Sequence, residues 1–212
     1  EIRNPLNAIN IITQRFEYEF KPEEDKDEYL KLVKTVRSEV ERVNSIITQF
    51  LEFARPGRVE KKEISAPQVL KESANVVESQ AKKENVTMEA DLPEDFTMLA
   101  DKQKLKQAFL NIMQNSIEAM PAGGKIRYSA RKQDEQVIFE ISDTGEGIPE
   151  EKIPKIFNLY YTSKSDGTGL GLSIVHQIIS EHGGEIRVDS TAGEGTTMKI
   201  ILPADQDYPK HT

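Results

Sequence analysis

Five of the chain's 12 glycines, Gly145, Gly147, Gly167, Gly169 and Gly171, fall between Asp143 and Gly171. Clustered glycine lets backbone N–H groups approach a phosphate without a Cβ in the way, and GTGLGLSIV then opens a helix whose N-terminus favours an anion. By themselves such glycines are more often plain turns. The stretch matches neither GxxxxGK[ST] nor a strand followed by GxGxxG, because GTGLGL follows a polar loop. Asn111 and Asn115 are four apart and share a helix face, where an amide oxygen can ligate a hard cation such as Mg2+ that already holds phosphates and waters. Hydrogen bonding to neighbouring residues is the alternative use of such amides. Asp143 ends a strand and precedes TGEGIP, so its carboxylate sits at a loop mouth and can accept from an exocyclic amino group such as that of adenine. An exposed turn aspartate is the plain alternative.

These residues require an α/β frame. The pattern predicts a helix over 67–84, strands near 86–91 and 96–100, and a long helix over 102–119 capped by Asp101. KIRYSARK and QVIFEISD alternate, read as an antiparallel pair and place Asp143 at a strand end. A helix over 169–182 and two strands, GEIRVDS and TTMKIILP, complete an α/β sandwich with a mixed, mostly antiparallel sheet. Residues 205–212 read as a tail.

Before residue 57 the period is different. One apolar helix runs from the start to about Phe20, the charged stretch KPEEDKDE follows, and a second helix runs to about Ala54. In the second, Tyr29, Val33, Val36, Val40, Val43, Ile47, Phe50 and Ala54 alternate steps of four and three, a heptad seam. Two helices with narrow seams cannot cover their own stripes, whereas two hairpins paired as a four-helix bundle can, so homodimerisation is expected. The domains expected are therefore 1–56, a helical hairpin, and 57–204, the α/β unit. Pro5, in EIRNPLN, either opens the first helix behind an Asn4 cap or kinks a helix that began upstream.

Composition excludes several classes. The 212 residues carry a net charge of -8 and a pI near 5.1, against a phosphate-backbone binder, so no nucleic acid is expected as partner. Cysteine is absent, which removes disulfides, thiol nucleophiles and Cys-zinc sites, and His176, His182 and His211 are the only histidines. No apolar run approaches the roughly 20 residues of a membrane span. A cytoplasmic setting is expected, with membrane attachment only through segments upstream of a chain that starts without methionine.

In order, NIMQNSIEA, DTGEGIP, IFNLYYTSK and GTGLGLSIV resemble the N, G1, F and G2 boxes of the sensor histidine kinases of two-component signalling, within the Bergerat-type ATP-binding superfamily. EIRNPL resembles the segment directly after the phospho-accepting histidine of that family's H box. The NSIEAMPAGG and YYTSK…GTGLGLS variants are most similar to the nitrogen-regulation and sporulation kinases. Ser116 stands where the family usually has alanine, which reads as a tolerated small residue.

The resemblance implies that Pro5 kinks a helix beside a histidine that would stand immediately before Glu1. It implies adenine on Asp143 with Gly145 and Gly147 shaping the pocket, Mg2+ on Asn115, and Asn111 near the phosphates. Backbone N–H groups of Gly169, Leu170 and Gly171 would follow the phosphate chain of ATP, with Ile148, Tyr161, Thr162, Gly167, Thr168 and Leu172 completing the nucleotide contacts. Lys164 would reach the γ-phosphate, although a lone lysine in a polar loop is ordinarily solvated, and residues 157–166 would form the ATP lid. Glu1 would hold the acceptor imidazole as general base, and Asn4 would orient a water for dephosphorylating a response regulator. His182, before Gly183 and Gly184, reads as a helix C-terminal residue. The expected function is a dimeric ATP-dependent protein histidine kinase with a response-regulator partner. Another ATPase or serine kinase of the superfamily, and a non-catalytic nucleotide-binding dimerisation module, are the competing classes.

Overall fold

The chain is described as a computed structural model covering residues 9, 11–16, 19–20, 26–54, 59–92, 94–164 and 168–204, with the side chains of residues 45 and 49–54 left aside. Glu1, Asn4, Pro5, Gly167, His211 and the tail lie outside the described residues. Two compact units divide at Pro56 and Gly57.

In the first unit, residues 11–16 are helical and α1 spans Lys26–Ala54, so α1 starts inside the charged stretch read as a loop. Asp27 and Glu28 in its first turn suit the positive end of the helix dipole. Tyr29 donates its hydroxyl hydrogen to the Phe16 carbonyl at 2.9 Å, tying the earlier helical residues to α1. The heptad positions divide into two sets. Val33 and Val40 are buried, whereas Val36 and Val43 are exposed, as are Ile9, Ile11, Ile12, Phe16 and Phe20. Among the described residues, no helix is long and apolar enough to cross a membrane.

The second unit is a sheet covered by helices. Strands β2 (Val86–Asp91), β4 (Gly124–Gln133), β5 (Gln136–Asp143), β6 (Glu185–Thr191) and β7 (Gly195–Pro203) form a five-stranded sheet in the order β2-β4-β5-β7-β6. Only β2 and β4 run parallel; β4 with β5, β5 with β7 and β6 with β7 are antiparallel. The sequence reading missed β1 (Lys62–Ser65), which pairs with β3 (Thr97–Ala100) in a separate antiparallel ribbon. Its four residues are too few to show a period.

Helices α2 (Ala66–Lys83), α3 (Lys102–Glu118) and α4 (Gly171–Glu181) pack side by side, α3 in the middle. Each start has a local cause at α2 and α3. Ser65 accepts from the Gln68 N–H, and Asp101 accepts from the Gln103 and Lys104 N–H groups. Strand alternation then builds the core. Ile126, Tyr128 and Ala130 of β4 and Val137, Phe139 and Ile141 of β5 are buried, while Glu140 pairs with Arg131 and Lys199. Phe109 of α3 meets Phe139 of β5 with ring centroids 4.9 Å apart. That contact fastens the helix bearing Asn111 and Asn115 to the strand ending in Asp143. Truncating either ring would cost about 3–5 kcal/mol.

Candidate nucleotide site

In a strand, residues two apart face the same side, so Asp143 projects to the side of Phe139 and Ile141, beneath α3. Its carboxylate is held by three donors. The Gly145 N–H (3.0 Å) and the Thr196 N–H (3.2 Å) reach Oδ1, and the Ser116 hydroxyl (2.8 Å) reaches Oδ2. Ser116 is buried and lies one residue after Asn115. The reading of Ser116 as merely a tolerated small residue is therefore corrected: it donates to the carboxylate that the sequence singled out. An alanine there could not. The signal available in the sequence was a hydroxyl at an apolar position of an amphipathic helix.

The loop after Asp143 is cross-linked on every side. Thr144 N–H donates to the Lys125 carbonyl, Glu146 N–H to Ala119, and Gly193 N–H to Glu146. Ile148 N–H donates to Ser190 Oγ at 2.8 Å, and Ser190 also donates to the Gly195 carbonyl. Gly147 has φ +66, and a Cβ there would lie 2.0 Å from the Thr191 carbonyl oxygen. Glycine at 147 is thus required by the turn and its neighbour within the protein, a reason beyond access to a ligand.

The glycine run before α4 behaves similarly. Gly169 has φ +66, and its Cβ would sit 2.4 Å from the Tyr160 carbonyl carbon, so the segment bearing Leu159, Tyr160 and Tyr161 passes directly over it. Tyr160 itself holds φ +63 and is exposed, an uncommon backbone state for an aromatic residue. Gly171 differs: a Cβ there would meet nothing within 4 Å. It opens α4, whose first-turn N–H groups have no intrahelical acceptor. Leu170 is buried, and its N–H donates to Thr168 Oγ1 at 3.3 Å, so in this arrangement it is not aimed at a ligand as expected. Leu172 is half-buried in the first turn of α4.

Asn111 and Asn115 do share a face of α3, and their amides are used differently. Asn111 Nδ2 donates to the Gly171 carbonyl at 3.2 Å, joining α3 to the start of α4. The half-buried Asn115 side chain has no hydrogen-bond partner among the described residues. Thr162 Oγ1 accepts from the Lys164 N–H at 3.1 Å. Lys164 Nζ, expected to await a phosphate, is instead paired with the Glu118 carboxylate, a partner the sequence reading missed. Residues 46 apart in the chain meet there only because of the fold.

At the far end of the same helix pair, His182 caps α4 and is buried. Asp101 N–H donates to its Nε2 at 3.0 Å, and Nδ1 lies 2.7 Å from the Ile178 carbonyl, so the ring is neutral with its proton on Nδ1. Burial, with Lys61 and Lys104 nearby, pushes its pKa down against the Ile178 bond and Asp101. Lys104 also pairs with Glu181. His182 is thus a structural tie with no free ring nitrogen.

This sandwich with a strand-end carboxylate, a pinned glycine loop and a glycine-opened helix defines an ATPase class. The family model for histidine kinase-, DNA gyrase B- and HSP90-like ATPases matches residues 100–206, and that for the His Kinase A (phospho-acceptor) domain matches residues 1–58. Sporulation kinase B of Bacillus subtilis (strain 168) is 38% identical over 207 residues, covering 97% of this chain and 48% of the relative. The structure of full-length ShkA in complex with AMPPNP is similar at a TM-score of 0.80 and 26% identity, over 95% of this chain and 43% of that one. The histidine kinase ThkA, in complex with response regulator protein TrrA, is similar at a TM-score of 0.71 and 29% identity, over 96% and 59%. The chain belongs to the sensor histidine kinases. It spans about half the length of the curated relative above.

Proposed function

We propose that the chain is the kinase core of a two-component sensor: it binds Mg-ATP, directs the γ-phosphate to a histidine, passes it to a response-regulator aspartate, and works as a homodimer. The carrying observation is Asp143, fixed by three donors at the mouth of a strand and joined through α3 to the start of α4, since Ser116 of α3 holds Asp143 and Asn111 of α3 holds the Gly171 carbonyl. A carboxylate so loaded keeps an acceptor position for an exocyclic amine, and an N-terminal turn with open space at Gly171 suits phosphates. AMPPNP in ShkA and the regulator bound to ThkA support the nucleotide and the partner.

Mg2+ is tested by the donor set. Among the described residues no cluster of three His, Cys, Asp or Glu side chains could hold a metal, whereas the unpartnered Asn115 amide on the site face of α3 fits an ion that takes its remaining ligands from phosphates and water. When bound, the ion would neutralise charge on the phosphates. The chain's own parts would do the rest: Asp143 and the Gly145–Gly147 loop orient the base, Asn111 and the first turn of α4 hold the phosphates, and Lys164 meets the terminal one, with Ile148, Tyr161, Thr162, Thr168 and Leu172 lining the nucleotide. Glu1, as base for an acceptor histidine beside it, and Asn4, as a water-orienting residue, belong to the same proposal. His182 is excluded as acceptor, because both ring nitrogens are engaged.

The exposed set Ile9, Ile12, Phe16, Val36 and Val43 supports the dimer. Calorimetry should show ATP binding that Asp143→Ala largely abolishes and Mg2+ dependence that Asn115→Ala removes, in variants with unchanged circular dichroism. Unchanged affinity in both rejects the site.

A further inference from the structure

Glu118 is the last residue of α3 and follows Asn115 by three positions and Asn111 by seven, so all three side chains rise from one face of the helix. Its carboxylate holds Lys164 Nζ, with the two side chains 50% and 36% exposed. Lys164 is also the cation that the proposed nucleotide site brings to the terminal phosphate. One ammonium group therefore has two anionic claimants, and they cannot both satisfy it fully.

We propose that Glu118 is a positioning residue that keeps Lys164 at the Asn111–Asn115 face until the γ-phosphate takes the lysine over, so that breaking the pair lowers the affinity for ATP and narrows its margin over ADP. The inference rests on the nucleotide reading of the site. An exposed carboxylate–lysine pair is weak, worth a factor of about five at most in an equilibrium constant. A phosphate with close to two charges and three acceptor oxygens makes stronger charge-assisted hydrogen bonds and displaces the carboxylate. Glu118 is half exposed, so its released carboxylate returns to water and is not stranded in an apolar site. ADP ends one phosphate short of the γ position that Lys164 is proposed to meet, so there the displacement has no driving partner and Lys164 stays on Glu118. Glu118 thus acts through Lys164 and sets how much is subtracted from the binding of ligands that carry the γ-phosphate.

The test is calorimetric titration of the chain with Mg-ATP and with Mg-ADP, comparing the unaltered protein, Glu118→Gln, Lys164→Gln and the double variant. Glu118→Gln keeps the side-chain shape and removes the competing charge. It is expected to tighten ATP binding roughly two- to fivefold with little effect on ADP. Lys164→Gln is expected to weaken ATP binding and to remove most of the gain from Glu118→Gln. An unchanged or lowered ATP-to-ADP affinity ratio in Glu118→Gln overturns the exchange. So does an equal gain in the Lys164→Gln background, which would mean simple charge repulsion. Failure of the unaltered chain to bind either nucleotide overturns the nucleotide reading itself, a result distinct from both.

Discussion

Ser116 and Gly147 act on the candidate site by opposite means, one by donating a hydrogen bond and the other by lacking a side chain. A carboxylate offers about four acceptor positions, and Asp143 already fills three from Ser116, Gly145 and Thr196. Ser116→Ala would leave Oδ2 without its protein donor at a part-buried contact, worth about 1 kcal/mol. ATP affinity is expected to fall about fivefold, measured by calorimetry, with the fold retained. Gly147→Ala would place a methyl 2.0 Å from the Thr191 carbonyl oxygen at φ +66. It is expected to destabilise the α/β unit by more than about 1 kcal/mol, read as a lowered melting temperature before any nucleotide is added. Asp143 and the glycines were legible as chemistry-bearing residue types. The donors on Asp143 were not, because Thr196 is 53 residues away and Ser116 is 27 away.

Helix α4 is tied to α3 at both of its ends, Gly171 to Asn111 near the site and His182 to Asp101 away from it. The second tie is sensitive to pH. Burial favours neutral His182, so its folded pKa lies below that of the unfolded chain, near 6.5. Below that value the unfolded chain binds more protons, so stability falls with pH from about 6.5 down through the depressed folded pKa. Lys61 and Lys104 oppose protonation and Asp101 favours it. Melting temperatures at pH 7.5 and 5.5 should show a larger loss in the unaltered chain than in His182→Asn, where the titrating group is gone. The periods of α2, α3 and α4 and the Asp101 cap of α3 were visible in the sequence, with ends placed to within two residues, whereas the Ser65 cap of α2 was not read. The reading of His182 as a helix-end residue was correct in position, but its bond to Asp101 needed the fold.

At the scale of the whole molecule, the first unit exposes more apolar surface than a lone hairpin should. The heptad residues sort by role: Val33 and Val40 are already covered, whereas Val36 and Val43 remain exposed. Val43→Glu is therefore expected to convert the proposed dimer to a monomer in light scattering while helicity persists, and Val40→Glu to lower helicity as well. A monomer for the unaltered chain would reject the dimer. The sequence alone determined the class of fold, the helical character of the first unit and the residue types proposed to bind a phosphorylated nucleotide, because period and glycine spacing are local properties. Tertiary structure alone decided the parallel pairing of β2 with β4, the β1–β3 ribbon, the Ser116–Asp143 and Glu118–Lys164 contacts and the His182 tie. Each joins groups far apart in the chain, and no local pattern encodes which distant donor meets which acceptor.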